Sequence, residues 1–204
     1  MKQVLVETQL FTPKSNLLTE GNLSERGNPM VEGILATVEV KNGNGRYYSK
    51  DIWKREIDKY MESVEQKRAL GELDHPESSV INLKNVSHNI TKIWWDGDNI
   101  NGKIEILPTP SGNILKALIE SGISVGVSSR GMGSLEEKGG MLEVQDDFEL
   151  LCFDFVSTPS NPGSWMRPAS KSLREGVEMF VEDYTEVNNI IREILCSNGT
   201  CPLL

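Results

Sequence analysis

Histidine and cysteine are scarce in this chain, with 2 and 3 among 204 residues. His75 and His88 stand apart, and Cys152, Cys196 and Cys201 are scattered. That pattern offers no metal-ligand spacing, because tetrahedral sites draw on closely paired thiolates and imidazoles. No Gly-x-x-x-x-Gly-Lys cradle for phosphate is present either, so no cofactor is expected. No apolar run approaches the ~18 residues of a membrane-spanning helix. The opening MKQVLVETQLFTPK lacks an apolar core of signal-peptide length. With an odd cysteine count, this sets the expectation of a reducing cytosol. Cys196 and Cys201 flank Ser-Asn-Gly-Thr and are spaced to pair only if oxidised. A basic surplus is also missing. Thirty acids against 21 bases give a net charge of −9, and a grip on nucleic acid needs Lys and Arg to release phosphate counterions.

What is present is enough for one substantial domain. A chain of this length buries roughly 70% of the surface its unfolded form exposes, so it folds without disulfides. Residues 1–10 alternate as a strand, and 11–30 are polar with Pro, Gly, Ser and Asn, the composition of a loop or mobile segment. Residues 31–40 predict a strand ended by the turn Asn42-Gly43-Asn44-Gly45. Ser49 caps a helix with Ile52, Trp53, Ile57, Tyr60 and Met61 at helical spacing, running to about Arg68. Pro76 keeps His75 out of any helix. A hairpin follows, 86–95 and 100–107 about Asp96-Gly97-Asp98, then a short helix over 112–120 ended by Gly122. Residues 123–134 read as a strand running into a glycine-rich loop, and 141–157 as one long strand or two. Residues 173–195 form an acidic amphipathic helix on paper, with Val177, Phe180, Val181, Tyr184, Val187 and Ile191 on its stripe. There is no regular alternation of strand and helix. The expected class is therefore mainly β with peripheral helices, mostly antiparallel, divided as 1–30, 31–172 and 173–204.

Three features could carry chemistry. His75 sits in a loop among acids, and imidazole is the side chain best suited to take a proton near neutral pH. Ser128-Ser129-Arg130-Gly131 ends a buried strand with two hydroxyls, an arginine and glycines. A nucleophilic serine needs a base and backbone N–H groups aimed at the oxyanion, and Gly131 and Gly133 permit such a backbone. Asp154 lies among Cys152, Phe153, Phe155 and Val156, where a carboxylate is costly unless paired. It either faces solvent or bonds a histidine N–H. His88, in mid-strand, is the weaker histidine.

The block Ala69-Leu70-Gly71-Glu72-Leu73-Asp74-His75-Pro76, followed some fifty residues later by Gly126-Val127-Ser128-Ser129-Arg130-Gly131-Met132-Gly133-Ser134, resembles the prohead core serine protease of large contractile-tailed phages. That family is related to the herpesvirus assemblin protease. Asn44-Gly45-Arg46-Tyr47-Tyr48, Trp94-Trp95 and Trp165 add to the likeness, which runs from about residue 29 to 168. The resemblance implies a closed antiparallel β-barrel with surrounding helices. It implies a serine endopeptidase that cleaves phage scaffold or core proteins and capsid proteins, inside the immature head in the host cytoplasm. Membranes and nucleic acids are not implied partners, and a homo-oligomer stays open. His75 matches the catalytic histidine and Ser128 the nucleophile, with Ser129 its competitor and Ser124 a weaker one. Only one of two adjacent strand residues can face His75. Asp154 is favoured as third member, with Glu72 the runner-up. The backbone N–H groups of Arg130 and Gly131 are the expected oxyanion donors, and Arg46, Arg130 and the lysines are open as partners for a substrate glutamate. A barrel that has lost catalysis and serves in head assembly is the alternative.

The family cuts after Glu in Leu/Ile-x-Glu contexts and cuts itself. Eight such triplets occur here, so a match alone discriminates little. Two precede glycine outside the expected barrel, at Glu20 and Glu175. Cleavage at Glu175 releases 176–204, which carries five acids and one base. That tail is either a zymogen or docking element or an ordinary packed helix.

Overall fold

The computed structural model describes residues 3–7, 23–76, 78–123 and 125–157, and the backbone of 166–168. All of them fall within one unit, Met1–Ala169. The proposed acidic helix, Cys196, Cys201, Glu20, Glu175, Trp165 and Ser124 lie outside the described residues. Among the described residues no helix is long and apolar enough to cross a membrane.

In chain order the elements are β1 (Gln3–Glu7), β2 (Met30–Thr37), β3 (Arg46–Tyr47), α1 (Lys50–Glu65), β4 (Leu70–Glu72), β5 (Val86–Asp96) and β6 (Asn99–Ile106). They continue with α2 (Pro110–Glu120), β7 (Gly126–Gly133), β8 (Leu135–Lys138), β9 (Met141–Val144), β10 (Glu149–Val156) and β11 (Met166–Pro168). Among the described residues the class is mainly β with two helices, as composition and pattern lead one to expect. Helix α1 begins where Ser49 Oγ accepts the Ile52 N–H, and it turns Ile52, Trp53, Ile57, Tyr60 and Val64 inward. It stops earlier than expected, at Glu65, because Lys67 adopts φ +56° and leaves the helical region. Helix α2 is capped by Thr109, with proline in its first turn. The β5–β6 hairpin turns on Gly97 at φ +61°, with Asp96 opposite Asn99. The region 141–157 is two strands.

The strands form three sheets, ordered β1-β7-β10, β11-β2-β6-β5-β4 and β3-β9-β8. Among the described residues the ladders are antiparallel except between β3 and β9, and the isolated Leu73–Phe155 bridge is also parallel. The expected closed barrel is thus not what the ladders make. The first two sheets adjoin at β4 and β10 through a single bridge, Leu73 to Phe155, extended by the Asp74 N–H donating to Phe155 O at 2.7 Å. Asp74 then takes φ +70°, which carries the chain out of the sheet, and the Glu72 N–H goes to the Asp154 carboxylate instead of to backbone. The core lies beneath these sheets under α1. There Trp53 stacks on Phe153 at 6.2 Å between ring centroids, and Tyr60 meets the same ring edge-on at 5.7 Å.

Candidate active site

β7 is the middle strand of its sheet, and its pleat decides which side chains meet. Ser128 lies opposite Asp154, and Arg130 opposite Cys152. Opposed residues on antiparallel strands share a face, with Cβ atoms ~5 Å apart. Ser128, Arg130, Cys152 and Asp154 therefore point to one side. Ser129, one residue on, points to the other, where it lies opposite Glu7 and Phe153 and shares the lining of a narrow cavity with Leu35, Tyr48 and Trp53.

His75 reaches the Ser128 face from the segment after β4. The Asp74 turn that ends the sheet contact presents it, and Asp74 Oδ1 accepts the His75 backbone N–H at 2.9 Å. Its Nδ1 lies 2.8 Å from Asp154 Oδ2. Asp154 does not face solvent. It is fully buried. Burial opposes its charge, and the His75 bond, the Glu72 N–H and Arg130 overcome that opposition and hold its carboxyl below the usual value. With Asp154 ionised, Nδ1 carries the proton and Nε2 is left as the lone-pair nitrogen. Nε2 and Ser128 Oγ are both buried and both without a hydrogen-bond partner, so no hydrogen bond joins them in the free chain.

Glu72, the other candidate acid, does not contact His75. Its Oε1 accepts from Arg130 Nη2 at 2.9 Å and from the Asn82 N–H at 3.0 Å. The Arg130 guanidinium turns inward and is fully buried. Arg46, also weighed as a partner for substrate, is committed elsewhere, with Nη1 2.9 Å from Glu7 Oε1. The expected glycine loop is absent too. β7 runs on to Gly133, paired with β1 on one side and β10 on the other, and none of its glycines has a positive φ. The N–H groups of Arg130 and Gly131 accordingly lie in the plane of a three-stranded ladder. Gly131 is required for another reason: a Cβ there meets the Phe148 ring at 2.4 Å.

His88 sits behind the site. Its Nε2–H donates to Phe153 O at 3.0 Å and its Nδ1 accepts from Ser87 Oγ at 2.8 Å. Burial pushes its pKa down to about 4, against the pull of Asp154 and Phe153 O, so it is neutral and structural at pH 7. Cys152, buried against Arg130 and Asp154, has its thiol pushed up by burial and stays protonated. A cavity of about 760 Å³ opens elsewhere, between the end of α1, residues 23–30 and the β5–β6 hairpin, and neither His75, Ser128 nor Asp154 lines it.

Comparison with known proteins places the chain in a family. The model of the prohead core protein serine protease family matches residues 5–175, and the chain belongs to that family. Over 143 residues it is 36% identical to the prohead core protein protease of Enterobacteria phage T4, which covers 68% of each chain. The structure of the bacteriophage T4 capsid assembly protease, gp21, superposes with a TM-score of 0.68 at 32% identity, covering 76% of this chain and 98% of that one.

Proposed function

We propose that this chain is a serine endopeptidase of phage prohead maturation, with Ser128 as nucleophile, His75 as general base and acid, and Asp154 as the group that orients the imidazole. One observation carries the reading: His75 bonds through Nδ1 the carboxylate that lies directly across the ladder from Ser128. Asp154 fixes the tautomer, so Nε2 is the nitrogen available to take the Ser128 proton. Oγ then attacks the scissile carbonyl. The imidazolium, facing the Asp154 charge, returns its proton to the leaving amine as the acyl-enzyme forms, and water repeats the sequence to release the acid product. The Nε2 to Oγ bond is made when substrate closes over the pair, as catalytic hydrogen bonds often tighten only in the complex. No oxyanion donor is assigned to Arg130 or Gly131, because ladder pairing occupies that stretch of β7 on both sides.

Substrates are phage core and capsid proteins inside the prohead, cut after Glu in the Leu/Ile-x-Glu contexts that the family resemblance implies. The chain also cuts itself, at one or both of Glu20 and Glu175. The test is mass spectrometry of the incubated chain beside Ser128→Ala. Masses cut after Glu20 or Glu175 in wild type and missing from the variant support the reading, and identical fragments in both contradict it.

A further inference from the structure

Among the described residues Arg130 is the one arginine or lysine that is fully buried. It leaves β7 two positions beyond Ser128, on the same face. Its Nε lies 2.9 Å from Asp154 Oδ2 and is directed towards Cys152 Sγ at 3.3 Å. Its Nη2 donates to Glu72 Oε1 at 2.9 Å, and more weakly to Cys152 Sγ at 3.2 Å and Asp154 Oδ1 at 3.3 Å. Its Nη1 donates to the Ser78 carbonyl at 2.7 Å. Glu72 in turn takes the Asn82 N–H. One guanidinium thus ties the nucleophile strand to the orienting carboxylate, to β4 just before His75, and to the segment just after it.

An arginine beside a nucleophile can bind an acidic substrate side chain or an oxyanion, but either role needs an open face. The Arg130 side chain is 1% exposed, and its hydrogen bonds go to Glu72, Asp154, Cys152 and the Ser78 carbonyl. We propose instead that Arg130 and Glu72 are a buried positioning pair, which holds the Asp154 carboxylate and fastens both flanks of His75 so that the imidazole stands over the nucleophile strand. The proposal rests on the serine-peptidase reading above.

The pair also sets the charge around the imidazolium that forms in the reaction. Of the described groups, Asp154 bonds the ring, Asp74 accepts the His75 backbone N–H, and Arg130 is ion-paired to both Asp154 and Glu72. Tyr60, Cys152 and His88 are uncharged at neutral pH, because burial raises the first two and lowers the third. Removing the Arg130 charge favours the imidazolium, and removing the Glu72 charge disfavours it.

The test uses the full chain, peptides with Glu at the cleaved position and their Gln counterparts, and kcat and KM measured against pH. Arg130→Met is expected to lower kcat by about 10²-fold with KM unchanged, the size of loss that misplacement by an ångström produces. It should also move the acid limb of the profile up by about one pH unit. Glu72→Gln moves that limb down. Arg130→Lys keeps the limb in place and recovers part of kcat. The double variant Arg130→Met/Glu72→Gln removes one buried charge of each sign, so the net charge around Asp154 is kept, and it serves where a single variant fails to fold. It is expected to show lowered kcat with the limb near its wild-type position. Wild-type kcat in the double variant overturns the proposal. So do limbs unmoved in both single variants, or a KM that rises for Glu peptides alone while kcat holds. A wild-type chain with no Ser128-dependent cleavage overturns the peptidase reading instead.

Discussion

Ser128 and Asp154 face one another across the β7–β10 ladder, and this register pair decides which of two adjacent serines shares a side with the imidazole. Ser129, turned towards Trp53 and Tyr48, is on the wrong face of the sheet to meet His75. The distinction is geometric, so it converts directly into experiments.

Asp154→Asn keeps the size of the side chain and loses the charge that fixes the His75 tautomer. Cleavage of a Leu-x-Glu peptide is expected to fall on the order of 10³–10⁴-fold in kcat. A thermal melt run alongside measures the separate cost of leaving Arg130 with one buried anion fewer.

His88 makes stability depend on pH in a window apart from that of the acids. Its folded pKa, about 4, lies below the ordinary value of 6.5, so the unfolded chain binds the extra proton between them. Stability is therefore fully present above about pH 6.5 and declines as pH falls towards 4, by about 3 kcal/mol over the whole window. Asp154, with a lowered folded pKa, contributes stability that is present above the unfolded carboxylate value and is lost only as pH falls below it through the folded one. Urea unfolding at pH 7 and pH 5 is expected to show the decline in wild type and a smaller one in His88→Gln.

Gly71 lies opposite His88 on β4, and a Cβ built there falls 2.0 Å from Phe153 O and 2.3 Å from His88 Nε2. Gly71→Ala must break the bond by which His88 reaches past β4 to β10. A loss of about 1–3 kcal/mol is expected, the usual range for forcing atoms into a packed interior.

Self-cleavage after Glu20 is expected to nick the protein without removing its N-terminal piece. β1 pairs with β7 over five positions, and Leu5 is buried. Glu7 accepts from Arg46, Tyr48, Asn42 and Asn44. Gel filtration of the cut protein in native buffer should carry residues 1–20 with the main fragment, and denaturant should separate them.

The sequence is legible where the cause of the structure is itself local. Ser49 and the spacing of Ile52, Trp53 and Ile57 specify α1, and Gly97 specifies the hairpin. His75, Ser128 and Asp154 stand out by chemistry and by family resemblance, and the structure brings His75 to the Asp154 carboxylate that lies across the ladder from Ser128. The choice between Ser128 and Ser129 stayed open because alternation separates the two without saying which face holds His75. The inward course of Arg130 was not legible at all. Gly131 and Gly133 look like loop residues, and only the position of Phe148, supplied by a distant turn, explains why they sit within a strand. The barrel expectation failed at Asp74, whose left-handed backbone limits the β4–β10 contact to one bridge.

The central claim is that the hydroxyl at 128, paired with His75, is the nucleophile. A fluorophosphonate label followed by peptide mapping tests it most directly. Modification on Ser128 in wild type, lost in Ser128→Ala and in His75→Ala but retained in Ser129→Ala, is the predicted result. A label on Ser129, or labelling that persists without His75, contradicts it.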